Sequence, residues 1–469
     1  MPPPIKNQMA DDRPLSAKKF SAAVALTIFI VFAVSRYFEF SYVSSLGLIV
    51  TVIAIAPSVY YCLKGFKKPI PLIELHCFFY ALGFGLPALS DSSFLRRPSD
   101  DLMIEALLLT LYALLFLLTG YTLGARGLRI IVRPLKFPAP TTYWELEKFG
   151  WICELAYVLG YFYSQSNLPK IGSVDQAAGL LGWVGKADLI WLFLTHRLSR
   201  VGRVVFIFGL ISFESIRALT SGLLAEFLAL GLVFVLVSVN LRKRLPVKAI
   251  IVILVLFIFF NPVKHDYRQV AWFSGETLGY RAAIKEFVGM AIDYWSSPTL
   301  DRLDYVTVSL TSRLDHVGLL ANVMEMTPSI VPYAQGSTIF PITYYWIPRI
   351  IWPDKPEARL GNEWAKWYGF LDPWDDVTSF NLPWLVEFYL NFGIYGALIC
   401  MFFTGVLFFL IEHLFSRAHY EVLPFCFGLG IALTIWYGES NFALMWGNIL
   451  TKIIFILVIS RIFFGKRQA

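Results

Sequence analysis

The sequence predicts an all-α polytopic membrane protein of about twelve transmembrane helices with one large helical loop domain. Three observations carry that expectation. Of 469 residues, 57% are hydrophobic, only 16% are charged, and the mean hydropathy is +0.62. A soluble globular chain holds about 25% charged and about 45–50% apolar residues, so a water-soluble enzyme, a disordered chain and a coiled coil are excluded. The apolar residues come in long unbroken runs rather than in alternation, which excludes an outer-membrane barrel.

In lipid a continuous segment satisfies its backbone groups only as a helix, and spanning takes about 20 residues. Twelve runs qualify: 21–39, 43–63, 71–89, 104–124, 149–164, 177–196, 204–220, 223–240, 247–262, 389–413, 422–437 and 444–464. The run 177–196 is the weakest, because it contains Lys186 and Asp188. The organisation that follows is a tail over 1–20, nine spans over 21–262, a loop domain over 263–388, three spans over 389–464 and a short tail over 465–469.

Charge sets the orientation. Basic residues crowd into the first tail (Lys6, Arg13, Lys18, Lys19) and then into every second loop: Lys64 to Lys68, Arg126 to Lys136, Arg197 to Arg203, Arg242 to Lys248, Arg417, and Arg461 to Arg467. With twelve spans all of these fall on one side, which the positive-inside bias makes cytoplasmic for both termini. The first apolar run is too long for a cleaved leader and reads as a signal anchor. Five cysteines form no CxxC, so neither a disulfide framework nor a zinc site is expected. No basic patch points to nucleic acid.

The segment 263–388 is far too long for a connection. It carries 10 Lys/Arg against 15 Asp/Glu and 8 of the 14 tryptophans. Indole rings suit a bilayer interface, and their faces also stack on sugar rings; Trp295, Trp346 and Trp352 are the stacking candidates. Residues 279–295 read as an amphipathic helix with Arg281 and Lys285 on one face. Over 299–325 an apolar stripe from Leu303 to Met324 predicts a single helix, with Arg302, Ser309, Arg313 and His316 along one edge. That edge is either a solvated flank or a site. A Pro- and Trp-rich elbow over 347–356 holds Arg349 and Lys355, a planar fork and a point charge suited to phosphate. Ionisable groups also occur within the spans. Arg217 either pairs locally with Glu214 or faces the outer site; Arg268 follows a span directly and is a further phosphate candidate, against simple snorkelling.

The run Gly336-Ser337-Thr338, then Ile347-Pro348-Arg349 with Trp352-Pro353-Asp354-Lys355-Pro356, then Glu387-Phe388-Tyr389 with Asn391-Phe392-Gly393, resembles the oligosaccharide repeat-unit polymerases, the Wzy-type O-antigen and exopolysaccharide polymerases. The motif similarity covers about 60 residues and the hydropathy outline most of the chain. The resemblance implies a GT-C-like, metal-independent glycosyltransferase of the bacterial inner membrane without a cofactor. Its substrate would be an oligosaccharide on undecaprenyl diphosphate, its surroundings membrane lipid, and its partner a chain-length regulator protein. Glycan would pass from one lipid carrier to the next lipid-linked unit at the periplasmic face. Cations would meet the departing diphosphate, with Arg349, Lys355, Arg313, Arg302, Arg268, Arg217 and Arg281 as candidates. A base must take the acceptor proton; His316 and Glu387 are the candidates. An O-antigen ligase shares the outline, and a flippase or transporter of lipid-linked oligosaccharide would also use many spans.

Overall fold

The computed structural model describes residues 17–90, 97–166, 172–222, 224–273, 279–297, 299, 302, 305–306, 314–347, 351–352, 354–356, 360–376, 378–419 and 421–465. Among them every regular element is a helix. Long helices come first: α1 (Ala17–Tyr37), α2 (Tyr42–Leu63), α3 (Leu72–Leu89), α4 (Asp100–Ile131), α5 (Tyr143–Gln165), α6 (Gly172–Leu194), α7 (Arg200–Ser221), α8 (Leu224–Arg242) and α9 (Val247–Phe260). Shorter helices fill the predicted loop domain: α10 (Lys264–Phe273), α11 (Tyr280–Ser296), α12 (His316–Met326), α13 (Ile342–Tyr345) and α14 (Leu360–Trp367). The chain ends with α15 (Trp384–Leu414), α16 (Val422–Ala432), α17 (Phe442–Gly447) and α18 (Ile449–Phe464).

Among the described residues nine helical stretches are long and apolar enough to cross a membrane, or ten if α9 and the start of α10, bent by 58°, count as one broken span. They include α17 and α18 as one stretch, Phe442–Phe464. Two of the twelve predicted runs fall short for physical reasons: α5 carries Glu145, Glu147, Lys148 and Glu154, and α16 is only 11 residues long. The apolar surface points outward where lipid would be: α9 has no buried residue although it is almost wholly aliphatic and aromatic.

Local sequence sets the helix starts. Ser41, Ser99, Thr142 and Ser199 each cap a helix by accepting a backbone N–H with the side-chain oxygen. Packing centres on α4 along α15 and α5 along α6. Small residues let α4 and α15 touch: a Cβ on Gly120 would lie 1.9 Å from the Phe402 carbonyl oxygen, and one on Gly405 would lie 2.0 Å from that of Leu117. A second small core, around Val263, Tyr267 and Phe287, joins α8, α10 and α11.

One basic loop is tied to the end of α15. There Lys68 pairs with Glu74 at 2.9 Å and with Glu412 at 2.8 Å. Glu412 also accepts the free N–H groups of Leu72 and Ile73 at the start of α3.

One expectation fails in the loop domain. The stripe over 299–325 is not one helix: Asp315 adopts an extended-side ψ of 69° and caps α12 through its carboxylate to the Gly318 N–H. The helix starts at His316, so Arg302 and His316 do not share an edge. Arg302 instead folds back onto the end of α11, donating to the carbonyls of Asp293 and Tyr294. Ser309, Arg313 and Arg349 lie outside the described residues.

Candidate functional site

Residues far apart in sequence converge around the start of α15. A residue at the left-handed φ of +67°, Gly393, breaks α15 into a short buried piece and a long span. The short piece carries Glu387 and Asn391 one turn apart. Glu387 is 0% exposed. Its Oε1 accepts from Thr338 Oγ1 at 2.8 Å and from the Asn441 amide, and its Oε2 accepts the Phe442 N–H at 2.6 Å. Asn391 donates to Thr338 Oγ1 at 2.7 Å and accepts the Gly336 N–H at 2.8 Å. The Gly336–Thr338 turn, the head of α15 and the start of α17 are thereby one hydrogen-bonded unit. A carboxylate so enclosed presents no open face to a substrate hydroxyl, and its geometry is that of a positioning group.

The second predicted base, His316, is 3% exposed. Its Nε2 is 3.4 Å from Glu439 Oε1, while its Nδ1 is buried without a partner against Gly83. Gly83 belongs to a five-residue π-helical stretch, Ala81–Gly85, inside α3; such bulges concentrate at functional sites. Phe79 and Phe84 flank the imidazole. Glu439 Oε1 also accepts from Asn381 Nδ2 at 2.6 Å. Unlike Glu387, its side chain is open, with 16% exposed.

Sequence reasoning missed Glu439, Asn441 and Asn381. The tetrapeptide Gly438-Glu439-Ser440-Asn441 reads as a connection between two spans. In the structure it is the wall of the site: the Leu382 and Trp384 N–H groups donate to the carbonyls of Glu439 and Gly438, and Trp384 Nε1 to that of Ser440. The usable signal was four polar or small residues, Gly438 to Asn441, between two apolar runs.

The described cation candidates have separate partners. Arg217, Arg268, Arg281 and Arg302 belong to α7, α10, α11 and the stretch after it. Arg217 pairs with Glu214 at 2.8 Å and with Glu226, so the local-pair reading holds, and it also lines a cavity. Arg268 donates to the Gly222 carbonyl at the α7–α8 turn, and Arg281 is exposed. Lys355 is by the elbow, where its ammonium donates to the Tyr345 and Ile347 carbonyls. The elbow is fixed to the head of α18 by Thr451 Oγ1, which donates to the Trp346 carbonyl at 2.6 Å.

Of the stacking candidates, Trp346 and Trp352 keep 45% and 38% of their surface exposed. Trp295 donates its indole N–H to the Phe259 carbonyl at 3.0 Å and braces α11 on α9. Among the described residues no three His, Cys, Asp or Glu side chains are grouped to hold a metal ion.

Among the described residues, fold and site together define a helical membrane protein with nine membrane-length apolar helices and a polar centre built at a helix break. The chain belongs to a family described as a domain of unknown function, DUF8712, whose model matches residues 178–468, more than half of the chain. No curated protein and no solved structure matches it.

Proposed function

We propose that the protein is a polysaccharide polymerase of the bacterial inner membrane, transferring glycan between undecaprenyl-diphosphate carriers at the periplasmic face. One observation carries the reading: a carboxylate with 16% of its side chain exposed, Glu439, lies 3.4 Å from a buried imidazole, His316, at the head of α15. A partly exposed carboxylate held beside an imidazole is an arrangement suited to a general base. The resemblance to Wzy-type polymerases adds support, because its Gly336–Thr338 and Glu387–Gly393 runs meet in one unit beside Glu439. So does the Trp-rich elbow with its exposed indole faces. On this reading the architecture is GT-C-like, both termini are cytoplasmic, and the protein works with a chain-length regulator.

The chemistry then runs as follows. Glu439 takes the proton of the acceptor hydroxyl, with His316 holding the carboxylate. The hydroxyl oxygen forms a bond to the donor's anomeric carbon. The bond from that carbon to the diphosphate oxygen breaks, and its electron pair leaves with undecaprenyl diphosphate. Arg349 and Lys355 neutralise the leaving group. Glu387 keeps the wall of the site in register.

The test is the full-length protein in liposomes supplied with purified undecaprenyl-diphosphate-linked repeat unit. The expected product is a ladder of lengthening lipid-linked glycans. Transfer only onto lipid A core would mean a ligase. Movement of the unit across the bilayer with no new glycosidic bond would mean a transporter.

A further inference from the structure

The site around Glu439 leaves unused a second polar centre between α5, α6, α7 and α8. Lys186, only 3% exposed, pairs with Glu214 at 2.9 Å and with Glu154 at 3.3 Å. Arg217 pairs with Glu214 and with Glu226. The Lys186 ammonium also sits 3.7 Å from the centre of the Tyr157 ring. All of these groups except Glu154 wall a cavity of about 270 Å³ that Tyr161, Trp183, Asp175 and Gly179 complete. It lies at the end of the bundle away from the basic loops, since the end of α5, the start of α6, the end of α7 and the start of α8 all reach it.

A buried charge network is poor evidence for stability, because apolar packing of equal volume serves as well or better. The network also sits on an open cavity instead of filling it, so its chemistry is directed at a ligand. The lining decides which. Both cations are already paired with carboxylates, Glu154, Glu214 and Glu226, and Asp175 adds a further negative charge, so phosphate is disfavoured. An isoprenoid or acyl chain would strip water from several charged groups at once. A neutral polyhydroxylated ring suits all of it. Its C–H faces lie on Tyr157, Tyr161 or Trp183, and its hydroxyls both donate to carboxylates and accept from tyrosine hydroxyls. The volume falls just below the usual range of ligand pockets, roughly 300–1,000 Å³, which limits the occupant to one or two sugar rings.

We infer that this cavity is a pyranose-binding site, separate from the centre at Glu439. Gly179 offers a direct test, because a Cβ built there meets no atom within 4 Å. Gly179→Leu therefore has room at its first side-chain carbon and adds bulk at the cavity wall. Saturation-transfer NMR is measured on the full chain in phospholipid nanodiscs free of glycosidic detergent. The probes are the methyl pyranosides of glucose, galactose, mannose and N-acetylglucosamine. At least one gives transfer with the native protein. Gly179→Leu lowers that transfer at least tenfold with an unchanged thermal midpoint, and Tyr161→Phe, which removes a single hydroxyl, weakens it several-fold. No transfer from any of the four, or equal transfer in both variants, overturns the site. Ladder formation is scored separately: a pyranoside that binds in a protein making no ladder retains this site and removes the polymerase reading, and a ladder without binding does the reverse.

Discussion

At the residue scale, two carboxylates near the head of α15 stand in different surroundings. Glu387 accepts three donors and is closed off; Glu439 accepts from Asn381 and stays partly open. Their substitutions therefore act differently. In Glu387→Gln the amide N–H₂ faces donors on at least one side, leaving a buried group unmatched at about 1–3 kcal/mol. The expected result is a lower thermal midpoint in detergent, with chain extension falling only as folded protein is lost. An unchanged midpoint would show that the network does not hold the wall. In Glu439→Gln the midpoint stays while the rate of chain extension drops roughly 100-fold or more, the usual worth of a general base. His316 and Glu387 were legible because ionisable residues beside apolar runs stand out. Glu439 was not, because a polar residue in an apparent loop carries no such contrast.

At the element scale, hydrophobic periodicity located the long helices and misjudged the breaks. The stripe over 299–325 keeps its period through Asp315, and periodicity does not register that an Asp side chain is capping. The run 422–437 is apolar to its end, yet α16 stops at Ala432, because the following residues are drawn to the head of α15 by backbone hydrogen bonds. Tertiary pairing of this kind has no local signature. The α4–α15 contact gives a testable contrast on one helix. Gly120→Ala places a methyl 1.9 Å from a carbonyl oxygen, and overpacking costs about 1–3 kcal/mol. Gly127→Ala on the same helix meets nothing within 4 Å and gains roughly 0.5–1 kcal/mol of helix preference. Thermal midpoints of the pair should move in opposite directions. Movement in the same direction would mean that close approach does not join these helices.

At the scale of the whole molecule, two polar assemblies close the bundle at its ends. The Lys68–Glu74–Glu412 cluster ties α3 to α15 at the basic end, and the Glu387 network ties α15 to α17 at the other. Burial pushes the Lys68 ammonium down, but Glu412 and Glu74 outweigh it and hold it well above the ordinary lysine value. A raised folded value gives stability that is complete below the unfolded value of about 10.4 and is lost only as pH rises through the folded one. Lys68→Met, which leaves two carboxylates unpaired, should cost about 3–5 kcal/mol. Its deficit in unfolding midpoint relative to the native protein should be the same at pH 8 and pH 9.5. A deficit that shrinks across that interval would mean Lys68 is already losing its proton. The helical class and most of the long apolar helices were legible at this scale. The meeting of 336–338, 387–391 and 438–441 was not, since it depends on how breaks in three helices fit together.

The central claim is that Glu439 takes a proton from an acceptor sugar. The most direct measurement is the initial rate of glycosidic bond formation from purified lipid-linked repeat unit in liposomes, comparing native protein, Glu439→Asp and Glu439→Gln at matched folded concentration. The account predicts a native rate, a reduced but measurable rate with the shorter carboxylate, and almost none with the amide. Equal rates in all three would contradict it.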